Sequence, residues 1–411
     1  MQPNLAINAE RLLRRIEQMG KIGDTGDGGS RRLALTEEDK QGRDLLVSWM
    51  RDLDMAVRID AIGNIFGIWP ADGAEAPVMC GSHIDTVATG GRYDGVYGVV
   101  AGVEVIETLR EAGITPNRPI AVAAFTNEEG SRFQPDMLGS LVHAGGLQLG
   151  EALSQHSVDG VELADALEAI GYAGQETPGT IQPKAYVELH IEQGPVLDAA
   201  NEVIGVVKDL QGISWSEITI HGASNHAGTT PMNMRRDAGR VAAEIHVGAS
   251  ALAEEIGGGQ VCTIGRVEFE PNFINVIPKS VRMTLDLRNP EPQHFAEAEA
   301  RVFQMIDAIA AKHGCTATRR ELCRFEPVRF DDRIVALIDA VAHAQGHSPR
   351  HMTSGAGHDA QMMARICPAA MIFVPSVDGI SHNPAEYTRP EHLAAGANVL
   401  LHTLMHLSGG T

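Results

Sequence analysis

Histidines and carboxylates recur in this chain at the ends of short apolar runs. His83-Ile84-Asp85 closes the run Val78–His83, and residues two apart on a strand face the same side, so His83 and Asp85 can share a site. Asp94 lies in Gly90-Gly91-Arg92-Tyr93-Asp94-Gly95, ahead of a stretch with helical apolar spacing. Glu128-Glu129 follows Ile120–Thr126, His190 closes Ala185–His190, and His382 follows Ala370–Val374 within Ser381-His382-Asn383-Pro384. Each has an ordinary reading: a satisfied strand-end histidine, an N-cap aspartate or a solvated acid pair. Their coincidence points elsewhere. Three imidazoles and two carboxylates, His83, Asp94, Glu129, His190 and His382, suit zinc or another borderline divalent ion. Five ligands exceed one tetrahedral site but serve two ions if one carboxylate bridges. Two ions roughly 3.5–4 Å apart can activate a water and polarise a carbonyl. With Glu129 on a cation, Glu128 is free to handle the proton as general base and then general acid.

These groups need a scaffold that brings strand ends together. Thr36-Glu37-Glu38-Asp39 reads as a capping-box start, with a helix to about Asp54. Ala56–Asp60 and Asn64–Trp69 read as short strands, Val78–His83, Ile120–Thr126 and Ala185–His190 as buried ones, and Gly95–Ala112 as a helix. Strand–helix–strand order predicts an α/β catalytic domain, its sheet mixed but largely parallel, with helices on both faces. The pattern changes near Gly212. Ile213–Ile220 and Val281–Leu287 alternate polar and apolar, as strands with one wet face do, and helices are expected at Ala238–Ile256 and Pro292–His313, then a strand at Thr316–Phe325. This predicts an inserted α+β domain of ferredoxin-like type. Helix–strand–helix then returns at Asp332–Ala344, Ala370–Val374 and Glu391–Leu407. The predicted division is 1–211 with 328–411 for the discontinuous catalytic domain and 212–327 for the insert. Gly23–Ser30 is Gly-rich but has neither the preceding strand nor the GK[ST] of a phosphate loop.

Composition narrows the classes of function. The chain has 411 residues, a length suited to two or three domains, with 44% hydrophobic and 21% charged residues, as in ordinary globular proteins. Lys+Arg is 33 against 53 Asp+Glu, a balance of −20, which argues against nucleic acid or an anionic membrane as partner. The five cysteines, Cys80, Cys262, Cys315, Cys323 and Cys367, are widely spaced without C-x-x-C, as expected of a reduced, cytoplasmic protein with no thiolate metal site. Met1 to Arg15 has no apolar core of a secretory signal, and the longest apolar run, Val96–Val103, is too short to span a bilayer.

The motifs Gly81-Ser82-His83-Ile84-Asp85-Thr86-Val87, Thr126-Asn127-Glu128-Glu129-Gly130 and Glu188–Pro195, with the glycine-rich turn to Asp94, resemble the co-catalytic di-zinc exopeptidase/amidase family. Phe133–Ser140, Asn225-His226-Ala227-Gly228-Thr229-Thr230-Pro231-Met232 and Gly355-Ala356-Gly357-His358-Asp359-Ala360 are similar to its N-carbamoyl-L-amino acid amidohydrolase and allantoate amidohydrolase branch. The likeness covers nearly the whole chain. It implies that the five residues above are the metal ligands, that Asp94 is the bridge, that Glu128 is the base, and that the Asp85 carboxylate orients a ligand histidine. Histidine at position 190, where other relatives often carry a carboxylate, favours the amidohydrolase branch. The likeness also implies that the insert is a lid and a homodimer interface, and that His226 stabilises the oxyanion, in the same or the partner subunit. Asn275 and Arg288 would hold the substrate carboxylate; alone, Arg288 would read as a surface ion pair with Asp286. Gln193, Gly355 and Gly357 would touch substrate. Two divalent ions per subunit are expected, zinc first, with manganese, cobalt or nickel as alternatives. The implied reaction is hydrolysis of the ureido C–N bond of an N-carbamoyl-L-amino acid. Allantoate, N-carbamoyl-β-alanine, dipeptide or N-acyl amino acid substrates are alternatives, and a catalytically silent metal- or amino-acid-binding protein is the alternative of another class.

Overall fold

A computed structural model describes residues 5–70 and 75–409; the first four residues of the Met1–Arg15 stretch read above lie outside this range. In chain order the elements are α1 (Ala9–Gly20), α2 (Glu37–Asp52), β1 (Ala56–Ile59), β2 (Ile65–Trp69), β3 (Val78–His83), α3 (Val96–Glu111), β4 (Ile120–Phe125), α4 (Leu138–His143), α5 (Leu149–Leu153), α6 (Leu163–Ile170), β5 (Ala185–Ile191), α7 (Val196–Ala200), β6 (Gly205–Leu210) and β7 (Gly212–His221). They continue as α8 (Ala238–Ile256), β8 (Val261–Thr263), β9 (Val267–Glu270), β10 (Ser280–Asn289), α9 (Pro292–Lys312), β11 (Thr316–Phe325), β12 (Val328–Arg329), α10 (Asp332–Ala344), β13 (Arg350–Ser354), α11 (Asp359–Met363), β14 (Ala369–Val374) and α12 (Pro390–Leu407).

Two compact units result. One comprises the chain up to Lys208 and from Phe330 onward, the other Asp209–Arg329. In the first, the strand order is β1-β2-β4-β3-β5-β14-β6, with β13 also on β6. Only β4, β3, β5 and β14 run parallel; β1 and β2 on one side and β6 on the other are antiparallel. Parallel neighbours need a long crossover, and the short link from Ile59 to Ile65 permits only a hairpin. The four parallel strands are buried along their whole length. That is why they read as apolar runs rather than as alternation. Helices α3, α10 and α12 pack on this centre, α12 and α10 coming from the far end of the chain. Because the four strands point the same way, their carboxyl ends share one edge of the sheet, where active groups of α/β folds gather.

The first helix escaped the sequence reading. It is held by ionic contacts: Arg11 Nε donates to Glu104 Oε2 at 2.7 Å and Arg15 Nη1 to the same oxygen at 3.2 Å, with Glu104 fully buried in α3. The apolar face of α1 is periodic as well, with Leu12, Ile16 and Met19 buried at helical spacing, so the ion pairs add to an ordinary amphipathic anchor.

The second unit runs β-α-β-β-β-α-β from β7 to β11, with α8 and α9 the two helices. Its antiparallel sheet runs β11-β7-β10-β8, with β9 also on β10. The alternation anticipated on β7 and β10 is present, and the inward set (Ile218, Ile220, Val281, Met283, Leu285, Leu287) forms one core with Val241, Ile245, Val302 and Ile306 of α8 and α9. Among the described residues no helix is long and apolar enough to cross a membrane. The five cysteines are free thiols.

Candidate metal centre

The shared edge of the parallel strands brings five side chains to one point. His83, the last residue of β3, holds Nε2 3.6 Å from Asp94 Oδ1, and His190, near the end of β5, holds Nε2 3.1 Å from that same oxygen. His382, beyond β14, places Nε2 3.2 Å from the other oxygen, Asp94 Oδ2, and 3.3 Å from Glu129 Oε2. Two donor groups therefore exist, His83–Asp94–His190 and Asp94–Glu129–His382, joined through separate oxygens of Asp94. Glu128, buried after β4, sets Oε2 3.4 Å from His83 Nε2. His83, Asp94 and His190 are buried, whereas the His382 side chain is half exposed.

Hydrogen bonds fix which nitrogen faces inward. His83 Nδ1 meets the Asp85 carbonyl at 2.9 Å and His190 Nδ1 meets the Ile191 carbonyl at 2.8 Å. A carbonyl only accepts, so this network assigns the proton to Nδ1; the Nε2 lone pair of His83 is left toward Asp94, and that of His190 is shared between Asp94 and the Gly95 N–H at 3.1 Å. Lone pairs converging on a carboxylate oxygen repel it unless a cation lies between them. Protons alone would have to do that service. Burial by itself would lower His83, but the Glu128, Asp94, Asp85 and Glu129 carboxylates outweigh it and hold its pKa well above the imidazole range. Burial, then the Asp94 charge, pushes Glu129 up to about 8, and the hydrogen bond to Asp94 lifts His382 to about 9. Nitrogen and oxygen donors around such a charge-starved point fit divalent metal ions.

A family model for peptidase family M20/M25/M40 matches residues 79–406. The chain belongs to that family. It is 40% identical over 403 residues to an N-carbamoyl-L-amino-acid amidohydrolase of Rhizobium meliloti, covering 98% of this chain and 97% of that protein. To an allantoate amidohydrolase of Bacillus subtilis it is 34% identical, covering 96% of each chain. The crystal structure of a hydantoinase/carbamoylase-family amidase from Burkholderia multivorans superposes with a TM-score of 0.92 at 43% identity, covering 99% of both chains. The M20 chain is accordingly a hydrolase of the amidohydrolase kind.

Within this M20 site several residues stand differently from expectation. The Asp85 carboxylate is 3.9 Å from His83 Nδ1, too far for a hydrogen bond. Its backbone carbonyl orients the histidine instead. The carboxylate accepts from the Glu128 and Glu129 backbone N–H groups at 3.2 and 3.3 Å, so Asp85 shapes the turn that carries Glu128. Gln193 donates from Nε2 to Asp94 Oδ2 at 2.8 Å, touching the carboxylate that the two donor groups share. The Gly355–Gly357 loop leads directly into His358, whose buried ring stacks edge-on against His190 at 4.5 Å. Neither His358 nor Glu386 was singled out from the sequence. Each lies off the strand ends that guided the search, so no spacing signal exposed it.

In the second unit, His226 bridges to Val276 and the Ala227 N–H donates to the Asn275 carbonyl at 3.0 Å, so His226 and Asn275 stand together. Arg288 does not join them. Ser280, on the Asn275 side, pairs with His221, whereas Arg288 pairs with Ile213. The eight steps along β10 from Ser280 to Arg288 span about 26 Å at the usual strand rise. Arg288 thus lies toward the other end of β10 from the segment that carries His226 and Asn275. Arg288 pairs with Asp286 at 3.0 Å and lies 5.9 Å above the Trp215 ring.

The raised pKa values have a measurable consequence. Below about 9 His382 holds a proton, and below about 8 so does Glu129. A metal ion must expel both. Metal loading at neutral pH is expected to release protons, and affinity to fall as pH drops through those values. Calorimetry in buffers of different ionisation enthalpy reads this directly; a binding heat independent of buffer would refute it.

Proposed function

We propose that this protein hydrolyses the ureido C–N bond of an N-carbamoyl-L-amino acid with two divalent ions per chain, zinc being the first candidate. The observation that carries the reading is the pair of donor groups sharing Asp94 through its two oxygens, with Glu128 beside them. His83 and His190 would hold one ion, Glu129 and His382 the other, and Asp94 both. Bound there, such ions supply a Lewis acid and a nucleophilic water at neutral pH. The chain's own residues do the rest. Glu128 takes a proton from the attacking water as oxygen adds to the ureido carbon. It returns that proton to the departing nitrogen as the C–N bond breaks, and the remaining carbamate decomposes to amine and carbon dioxide. Burial raises the Glu128 pKa well above the carboxylate range, with Asp359, Glu129 and Asp94 adding to it against His83, which suits a group that must give its proton back.

His226 supports a part in oxyanion binding. Its Nδ1 accepts from the Gly228 and Thr229 backbone N–H groups at 3.0 and 3.3 Å. The neutral ring then carries its proton on exposed Nε2, as a donor for a developing negative oxygen. Arg288 offers a planar fork for the substrate carboxylate. Gln193 and the Gly355–Gly357 loop would complete the substrate contacts.

The separation of His226 and Asn275 from Arg288 favours a homodimer, in which one substrate meets residues from two chains. Exposed apolar side chains beside the His226–Asn275 pair, Phe273 at 68% and Ile274 fully exposed, supply a surface for that contact. Ile274→Asp is expected to shift the protein to monomer in light scattering and to depress turnover at least about tenfold. A monomeric, fully active variant would remove the two-chain site. Ammonia release from a panel of ureido acids on zinc- or manganese-loaded protein tests the reaction itself. Turnover of N-carbamoyl-L-amino acids supports it, preference for allantoate assigns the sister reaction of the Bacillus subtilis relative, and cleavage of dipeptides alone overturns the ureido reading.

A further inference from the structure

The bridging ligand and the most exposed ligand lie on two loops, Gly90–Gly95 and Ser381–Glu386. The Thr89 hydroxyl, just before the first loop, donates to the His382 carbonyl at 3.2 Å, and the Ser381 hydroxyl lies 3.5 Å from Asp94 Oδ2. The strongest link is the Glu386 carboxylate. Glu386 is buried, 6% exposed. Its Oε1 accepts from the backbone N–H groups of Tyr93 at 3.1 Å and Asp94 at 3.3 Å, and its Oε2 accepts from the Ser381 hydroxyl at 2.8 Å. The Glu386 N–H donates to the Asn383 carbonyl at 2.9 Å, which closes the turn just after His382. Gly91 is shaped to this contact: a Cβ there would fall 2.1 Å from Glu386 Oε1. His382 itself adopts φ +54°, a left-handed conformation that a non-glycine residue holds only when its surroundings impose it.

We propose that Glu386 is a positioning residue that sets the distance between Asp94 and His382, and so governs the ion held by Asp94, Glu129 and His382. The inference rests on the two-ion reading above and extends it to a residue outside the ligand set. Its chemistry is specific. A carboxylate has two acceptor oxygens and no donor, which matches the donors it meets, two amides on one loop and a hydroxyl on the other. His83 and His190 are held from the other side by the Asp85 and Ile191 carbonyls. The ion between them and Asp94 is therefore less dependent on Glu386.

The test is zinc titration of the metal-stripped full-length protein against a chromophoric chelator, reading two affinities without any turnover assay. Glu386→Ala is expected to weaken the second zinc by about 10- to 100-fold, the effect usual for groups that orient metal ligands, and to leave the first within a few-fold. Glu386→Gln, which keeps an acceptor for the backbone amides, should recover most of that loss. Ser381→Ala removes the 2.8 Å bond to Glu386 together with the longer 3.5 Å contact to Asp94 Oδ2, and should weaken the second zinc roughly fivefold, the weight of one good hydrogen bond; it carries the test if Glu386→Ala does not fold. Unchanged zinc affinities, or an equal loss at both sites, would overturn the proposal. Wild-type protein that binds two zinc ions yet leaves ureido acids untouched would defeat the assigned reaction and not this inference, whereas a single zinc per chain would defeat both.

Discussion

Glu128→Gln is expected to keep its metal and its melting temperature while losing about 10²- to 10⁴-fold in turnover, the span of general acid–base contributions. Glutamine preserves the shape and the backbone of the turn, so the Glu128 and Glu129 N–H groups still bond to the Asp85 carboxylate. What disappears is the basic oxygen 3.4 Å from His83 Nε2. Glu128 belongs to neither donor group that meets at Asp94, so metal content by elemental analysis should stay at the wild-type value. Turnover within tenfold of wild type would move the base to another residue. Loss of metal together with activity would make Glu128 a ligand rather than a base.

Gly95→Ala is expected to dismantle the centre without touching a ligand. Gly95 follows the bridging aspartate and has φ +64°, where an L side chain is strained. A Cβ there would lie 2.4 Å from His83 Cε1 and Nε2, inside the imidazole itself. The Gly95 N–H also approaches His190 Nε2 at 3.1 Å, so a backbone shift to relieve the clash disturbs a second ligand. The strain alone costs on the order of 1–3 kcal/mol, and displacement of His83 should lower metal affinity by at least about 10- to 100-fold. Chelator competition and thermal melting of the stripped protein separate the two losses. A Gly95→Ala protein that binds metal as tightly as wild type would show that His83 has room the structure denies it.

Much of this centre was legible in the residues because its parts obey local rules. His83 and His190 close apolar runs, and buried parallel strands are recognisable as such runs. The strand Val78–His83 and the helices Ala238–Ile256 and Asp332–Ala344 have the limits that composition and spacing suggest. Residues that act across the fold left no such trace. Glu386 is a lone acid in a proline-containing loop until the structure puts it on the Asp94 amide. Asp85 reads as a histidine's partner because the two are neighbours on a strand, yet backbone geometry turns its carboxylate toward Glu128 and Glu129.

By itself, the order of apolar runs, turns and ionisable residues determined the mixed α/β class, the inserted α+β segment and the identity of the residues that gather at strand ends. Period and polarity are properties of neighbours along the chain, so they survive without coordinates. Only the tertiary structure decided that Asp94 faces His83 and His190 with one oxygen and His382 with the other. It alone placed Arg288 near the end of β10 and Asn275 in the segment that leads into its start. Both facts depend on distances between segments far apart in sequence, which loop closure and packing set jointly and no local pattern encodes.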